Sequence, residues 1–455
     1  MKEMSKKGRM PIWAVIFWLF VWELTAWWVD APILLVSPLK AIVRLLELIW
    51  QRAFWQSVLF SVGHIVLGFL ISALLGIALA ALAYRFSAVR QLLSPLTAAV
   101  KAVPVASFVI LVLLWVSSRQ LSIIISILIG FPVIYTNVLT GLDSTDVRLI
   151  EMARVFRIPF VTQLRAIYLY SVLPFLRSSL GIAMGLCWKS GVAAEVIGIP
   201  DGSIGEKLYE AKVYLETADL FCWTIVIVLL SIGCEKLLGF IMRSVEKAAA
   251  KQRSYARPVR LARSAAPYAL EIKHLSKAFE GKSVLKNLSL RLENGRHYSL
   301  MGPSGCGKTT LLNLMLGLLK PDAGAVHTPS GTALSAVFQE DRLLKHMTAE
   351  ANVSLVSHAP AEEINALLLR LGIDEESLRQ PISAYSGGMK RRAALCRALL
   401  ADFDILLLDE PYKGLDETTR QQVMDIVSEY TQNKTVLMVT HDRDETVGFE
   451  SITLG

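Results

Sequence analysis

Two different hydrophobic patterns divide the chain. Through roughly the first 245 residues, apolar positions run on with few breaks, near 11–30, 56–84, 93–116, 121–141, 170–196 and 219–243. A helix needs about 20 mostly apolar residues to cross the hydrocarbon of a bilayer, so the pattern predicts six spans. The remaining 190 or so residues alternate short apolar runs with amphipathic stretches, as a soluble α/β domain does. The expected organisation is a basic tail (1–10), a helical membrane domain (11–243), a basic linker (244–268) and an α/β domain (269–455). The fold class is therefore multidomain, an all-α six-span unit followed by an α/β unit.

Composition supports this division. Of 455 residues, 53% are hydrophobic and only 19% charged, against about 25% charged for a soluble domain. The net charge of +8 arises largely in the tail, the short loops and the linker, which is orientation chemistry rather than a nucleic-acid surface. The first span follows Lys2, Lys6, Lys7 and Arg9 and no small-residue cleavage site follows it, so it reads as a retained anchor. With the N-terminus inside, the inner segments carry Arg85, Arg90, Arg148, Arg154, Arg157 and Arg165. The outer segment 197–218 is acidic, whereas Lys40, Arg44 and Arg52 in the outer segment 31–55 run against the bias. After Glu246 the linker carries Lys247, Lys251, Arg253, Arg257, Arg260 and Arg263; its start should continue the last span as a helix, with a tether beyond Pro258. The five cysteines form no CxxC pair and no His cluster accompanies them, so neither a disulfide framework nor a zinc site is indicated.

Between the fourth and fifth spans, residues 145–159 predict a short amphipathic helix. Leu149, Met152, Ala153 and Phe156 share one face, and Pro159 limits it. Such a helix either lies on the membrane surface or docks into a groove of another domain. Within the spans, His64, Lys101, Lys189 and Glu195 are functional suspects, because ionisable groups there cost about 2.5–3.5 kcal/mol at the bilayer centre. Lys101 and Lys189 are candidates to line the path of an anion, and Pro104 predicts a kink in the third span.

In the second half, Gly302-Pro303-Ser304-Gly305-Cys306-Gly307-Lys308-Thr309 has the GxxxxGK[ST] spacing. It follows an apolar strand, His297–Met301, and precedes a helical run, Thr310–Leu319, the context a phosphate loop requires. Its backbone N–H groups would cradle phosphates, Lys308 would neutralise the β/γ oxygens, and Thr309 would offer a hydroxyl to Mg²⁺. The buried strand Asp404–Asp409 ends in two carboxylates. Asp409 is the candidate Mg²⁺ ligand and Glu410 the group that polarises the attacking water.

These residues sit in a wider resemblance. Glu151-Met152-Ala153 followed by Leu173-Pro174 resembles the EAA loop of ABC importer permeases, and Trp188–Glu195 with Gly202–Gly205 looks like the permeases for nitrate, sulfonates, taurine and pyrimidine precursors. The likeness covers most of 55–243. The family usually has Gly at Arg157, where it eases a turn with positive φ. Tyr385-Ser386-Gly387-Gly388-Met389 resembles the ABC signature motif, with Met where Gln is commoner. The resemblance makes Gln339 the Q-loop residue beside Mg²⁺, Asp416 the D-loop residue, His441 the switch histidine and Phe279 the aromatic under adenine; Thr310 closes the phosphate loop. Only about 46 residues separate Gln339 from Ser386, which implies a compact helical subdomain, and the short stretch after His441 implies no C-terminal regulatory domain.

The resemblance further implies a type I importer fused to its ATPase, binding ATP and Mg²⁺ and located in a bacterial cytoplasmic membrane. Its partners would be a second copy of the chain, an extracytoplasmic substrate-binding protein and a small solute, such as a sulfonate, nitrate, bicarbonate or a pyrimidine precursor. No nucleic acid is expected. Export, or ATP-driven signalling without cargo, is the alternative; the EAA-like loop and the short outer loops speak against each.

Overall fold

The computed structural model describes residues 12–31, 33–251, 266 and 268–454, of which 247–251 are described by their backbone alone. The basic tail and linker residues Arg253, Arg257, Pro258, Arg260 and Arg263 fall outside the described residues. The chain forms two compact units. One takes the residues up to Ser144 and again Ser171–Ala248; the other takes Thr145–Tyr170 and the chain from Ala249 onward.

The helices follow in order: α1 (Ile12–Val29), α2 (Pro38–Ile49), α3 (Arg52–Arg85), α4 (Ser87–Ala102), α5 (Val105–Val112), α6 (Ser118–Asp143), α7 (Val147–Val155), α8 (Phe160–Gln163), α9 (Leu169–Gly198), α10 (Ile204–Val213) and α11 (Thr217–Lys251). Among the described residues five helices are long and apolar enough to cross a membrane, and six when α4 and α5 count as one span. That pair corrects the single span expected at 93–116. The chain bends by 106° between α4 and α5, because Pro104 lacks an N–H and disfavours helix at Val103 before it. The expected kink is therefore a break. Segments 31–55 and 197–218, between apolar helices, also hold structure: α2 lies within the first and α10 within the second. Arg44 of α2 grips Asp219 of α11 through two bonds, at 2.5 and 3.1 Å.

Small residues let the spans of this unit approach closely, as membrane helices do when lipid is as apolar as their side chains. A methyl at Gly68 of α3 would fall 2.5 Å from the Ile123 carbonyl of α6, and one at Gly130 of α6 only 2.8 Å from Cys187 Sγ of α9. Ile65, Phe69, Ile134, Tyr135, Met184 and Trp188 fill the core beside these contacts.

The second unit is built on two sheets. β1 (Leu270–Phe279), β2 (Lys282–Leu292) and β4 (Ala323–His327) make an antiparallel sheet in the order β2-β1-β4. β3 (His297–Met301), β5 (Leu334–Val337), β6 (Ile405–Asp409), β7 (Thr435–Val439) and β8 (Glu450–Thr453) make a parallel sheet in the order β5-β6-β7-β3-β8. Every residue of β6 and β7 is buried, which explains their unbroken apolar runs. The unit's helices are α12 (Lys308–Met315), α13 (Ala349–Ser354), α14 (Ala361–Arg370), α15 (Glu375–Leu378), α16 (Gly387–Leu400) and α17 (Glu417–Tyr430). The helix expected at Thr310–Leu319 thus starts two residues earlier and ends at Met315.

Candidate functional site

The phosphate loop joins β3 to α12, and Gly307 immediately before the helix has φ +103°. A side chain there would be strained and would meet Val284 Cγ1 at 2.8 Å, so the turn admits only glycine. Lys308 is nearly buried, and its ammonium folds back onto the carbonyls of Gly302 (2.7 Å) and Pro303 (3.0 Å). A cation held inside its own loop, beside the free N–H groups of a helix start, is chemistry suited to polyphosphate. Ser304 and Gly305 form the exposed tip of the loop, Cys306 N–H donates to Pro303 O at 3.3 Å, and Thr310 continues α12 behind Thr309.

Parallel register brings the end of β6 to this loop. Thr309 Oγ1 donates to Asp409 Oδ2 at 3.1 Å. Burial holds the Asp409 carboxyl above the usual carboxylate range, so a cation on that oxygen pair would offset the cost of burying it. Thr309 and Asp409 line one cavity of about 340 Å³ together with Gln339. These are the residues fitted to hold Mg²⁺.

Glu410, next along, has φ +48°, a conformation uncommon for a residue with a side chain. Its carboxylate accepts from Lys413 Nζ at 2.6 Å and stands 3.5 Å from His441 Nε2. The Lys413 hydrogen bond is the main reason its carboxyl lies below the usual glutamate range. Asp416 caps α17, accepting from Thr419 N–H (3.0 Å) and the Thr418 hydroxyl (2.7 Å), which holds it well below the ordinary aspartate range. Ser386 caps α16 by accepting from Met389 N–H at 3.3 Å, Gly387 opens that helix, and a methyl at Gly388 would touch Gly414 O at 3.7 Å. Phe279 stands 44% exposed at the end of β1, with Lys277 Nζ 5.5 Å from its ring centre.

The same unit contains the short helix between the fourth and fifth spans. Asp146 caps α7 through Arg148 N–H at 2.9 Å. Of the two placements open from sequence, a groove is the one seen: Met152, Ala153, Val155 and Phe156 are buried in one cluster with Ala336, Phe338, Leu344 and Met347. Polar contacts surround this apolar seat. Glu151 pairs with Arg342 at 2.8 Å, and Arg148 with Glu340 at 3.4 Å. Arg397 lies over the Phe156 ring at 5.1 Å, and Tyr170 stacks on His346 at 3.5 Å. Arg157 adopts φ +52°, and its guanidinium donates to Thr332 O at 2.7 Å. A side-chain bond thus accompanies the left-handed turn that glycine would make without strain. Arg148 and Glu151 also line the cavity that holds Gln339, Thr309 and Asp409.

The intramembrane suspects separate. Glu195 is fully buried; its Oε2 accepts from Ser61 Oγ at 2.6 Å and Gly205 N–H at 3.4 Å. His64 Nδ1 lies 2.8 Å from Phe60 O, with the two rings stacked. Lys101 and Lys189 are exposed on their unit, and Lys101 Nζ lies 3.4 Å from Thr136 Oγ1. Sequence reading missed Arg342, Arg391, Arg397 and Lys413. Only Lys413 left a signal, three residues beyond Glu410.

A phosphate loop, a paired Thr309–Asp409 and a second carboxylate beyond it on a parallel sheet define a nucleotide-binding cassette. The chain matches the ABC transporter family over residues 285–413 and the binding-protein-dependent transport system inner membrane component over residues 72–251. It belongs to the ABC transporter family, with permease and cassette in one chain. It is 41% identical over 189 residues to the aliphatic sulfonates import ATP-binding protein SsuB 1 of Nocardia farcinica, covering 40% of this chain and 76% of that one. It is 33% identical over 195 residues to the spermidine/putrescine import ATP-binding protein PotA of Fusobacterium nucleatum, covering 39% of this chain and 51% of the relative. The chain thus spans about half the length of the spermidine/putrescine relatives it matches. A dimeric structure of the ATP-binding cassette MJ0796 in a post-hydrolysis state is 28% identical, with a TM-score of 0.37, covering 41% of this chain and 94% of that one.

Proposed function

We propose that the chain is one half of an ATP-driven importer of the bacterial cytoplasmic membrane, working as a homodimer with an extracytoplasmic binding protein. The observation that carries this reading is α7. A loop between two spans is seated on the cassette by Glu151–Arg342 and by Phe156, and it lines the same cavity as Gln339 and Asp409. Occupancy of the nucleotide site and movement of the permease therefore share a physical connection.

In this reading Lys308 and the N–H groups of Gly302 and of residues 304–310 bind the phosphates, and Phe279 stacks on adenine. Thr309, Gln339 and Asp409 hold Mg²⁺, which when bound supplies charge to the phosphoryl oxygens. Glu410 orients and deprotonates the attacking water, after its carboxylate leaves Lys413, and His441 contacts the γ-phosphate. Ser386, Gly387 and Gly388 at the start of α16 complete the site of the partner chain, with Asp416 beside them, where a helix N-terminus favours an anion. Closing two such sites would pull both α7 helices and open the path outward; hydrolysis would reset it. Its cargo is a small solute, with Lys101 and Lys189 as candidate path residues. Sulfonates or taurine, nitrate, bicarbonate and pyrimidine precursors are the classes to test.

The test is ATP hydrolysis by the purified protein in lipid nanodiscs, with and without the binding protein encoded nearest to it, across that panel of solutes. Stimulation that requires both the binding protein and one solute is the expected result. Hydrolysis indifferent to every binding protein and solute would overturn import.

A further inference from the structure

Arg391 lies five residues after Ser386, on the buried side of α16, and is only 4% exposed. Its guanidinium makes four contacts, none of them to a group already assigned to ATP. Nη2 donates to the carbonyl of Asp409 at 2.9 Å and to that of Glu410 at 2.7 Å. Nη1 donates to Phe338 O at 2.5 Å and meets Asp341 Oδ1 at 3.3 Å. One planar group thus joins three segments: the helix that opens with the signature motif, the loop holding Gln339, and the peptide that presents Glu410.

The Glu410 peptide needs such a hold. Its φ of +48° is costly for a residue with a side chain, and its N–H is tied to Val439 O at 2.9 Å. Arg391 secures the other side of the same residue by its carbonyl. Removing the guanidinium would leave buried carbonyls unpaired, which favours rotation of the peptide and displacement of the carboxylate. Lysine cannot replace it, because an ammonium has no planar fork to serve two carbonyls on one side and a carbonyl and a carboxylate on the other.

Building on the ATPase reading above, we propose that Arg391 is a positioning residue for hydrolysis: it holds Glu410 in register with the Gln339 loop and links both to the signature helix. None of its four bonds goes to the phosphate loop, so it acts on turnover rather than on nucleotide binding.

The experiment compares wild type, Arg391→Lys and Arg391→Ala as full-length protein in nanodiscs, reading kcat and KM for ATP and the affinity for a fluorescent ATP analogue. Both variants should bind the analogue within about twofold of wild type, and kcat should fall about thirtyfold or more, within the range that a small misplacement costs. Millimolar guanidinium should restore part of the kcat of Arg391→Ala and leave wild type unchanged. A kcat for Arg391→Lys within threefold of wild type overturns the proposal; that variant decides the matter if Arg391→Ala fails to fold. So does a parallel loss of analogue affinity and kcat without guanidinium rescue, which marks a merely structural residue. A wild type that hydrolyses nothing overturns the ATPase reading, and this proposal with it.

Discussion

Arg342 and Glu151 form an ion pair, Nη1 to Oε2 at 2.8 Å, across the seat of α7, with side chains 9% and 30% exposed. Arg342 stands three residues after Gln339 and also lies over the Phe338 ring at 3.9 Å. The pair is much less exposed than Arg148–Glu340, whose side chains are 57% and 49% exposed. A surface pair of that second kind contributes little, whereas removing Glu151 leaves the nearly buried Arg342 with only Glu340, at 3.9 Å, as a charge partner.

Glu151→Ala should therefore disconnect the cassette from the permease. Basal ATP hydrolysis should stay within about threefold of wild type, while stimulation by binding protein and solute falls at least tenfold. Arg148→Ala should change stimulation by less than twofold. Side-by-side measurement in proteoliposomes checks the contrast; equal effects of the two variants would remove the special role of the Glu151–Arg342 pair.

Glu410→Gln should keep nucleotide affinity and lower turnover by a factor of about 10² to 10⁴, the range for loss of a positioned acid–base group. Single-turnover hydrolysis and equilibrium binding of the fluorescent analogue separate the two effects. Turnover at the wild-type rate would take Glu410 out of its role.

Phe279→Ala should raise KM for ATP while leaving thermal stability unchanged, because the ring is exposed at the end of β1 rather than part of the core. A stack on a base is worth about 1–3 kcal/mol, so a rise of about fivefold or more is expected. Initial rates across ATP concentrations settle it, and an unchanged KM would return Phe279 to the surface.

His346 gives a pH dependence with a definite sign. Burial against Tyr170 lowers its pKa from 6.5 to about 4. The unfolded chain takes up a proton that the folded imidazole refuses. The associated stability is thus complete above pH 6.5 and is lost as pH falls from 6.5 toward 4. Melting curves of the full protein at pH 7.5 and 4.5 should differ less for His346→Phe, which keeps the ring stack without the titration. An undiminished difference would place the acid sensitivity elsewhere.

Much of the candidate nucleotide site could be read from the chain because its parts are local. The phosphate loop, the strand ending at Asp409 and the capping Ser386 and Asp416 are each determined by near neighbours: a glycine turn, an apolar run, a hydroxyl or carboxylate before a helix. The match of Thr435–Val439 to β7 has the same cause, since a strand buried on both faces shows as an apolar run. The break at Pro104 was half legible. Proline announces a kink, but the angle of 106° depends on what the two halves pack against.

Sequence by itself determined the division into spans and cassette, the identity of the phosphate loop, and the amphipathic face of α7. What only tertiary structure decided is which distant groups meet. Arg391 is one of several arginines in α16, and nothing in its spacing says that it reaches Asp409 and Glu410 instead of solvent. Arg157 gave no sign that its carbonyl partner is Thr332, 175 residues away. The physical reason is common to both. A capping or turn residue satisfies backbone groups within a few positions, so its sequence neighbours specify it. A buried guanidinium satisfies carbonyls brought to it by the packing of separate segments, and their approach is a property of the folded chain.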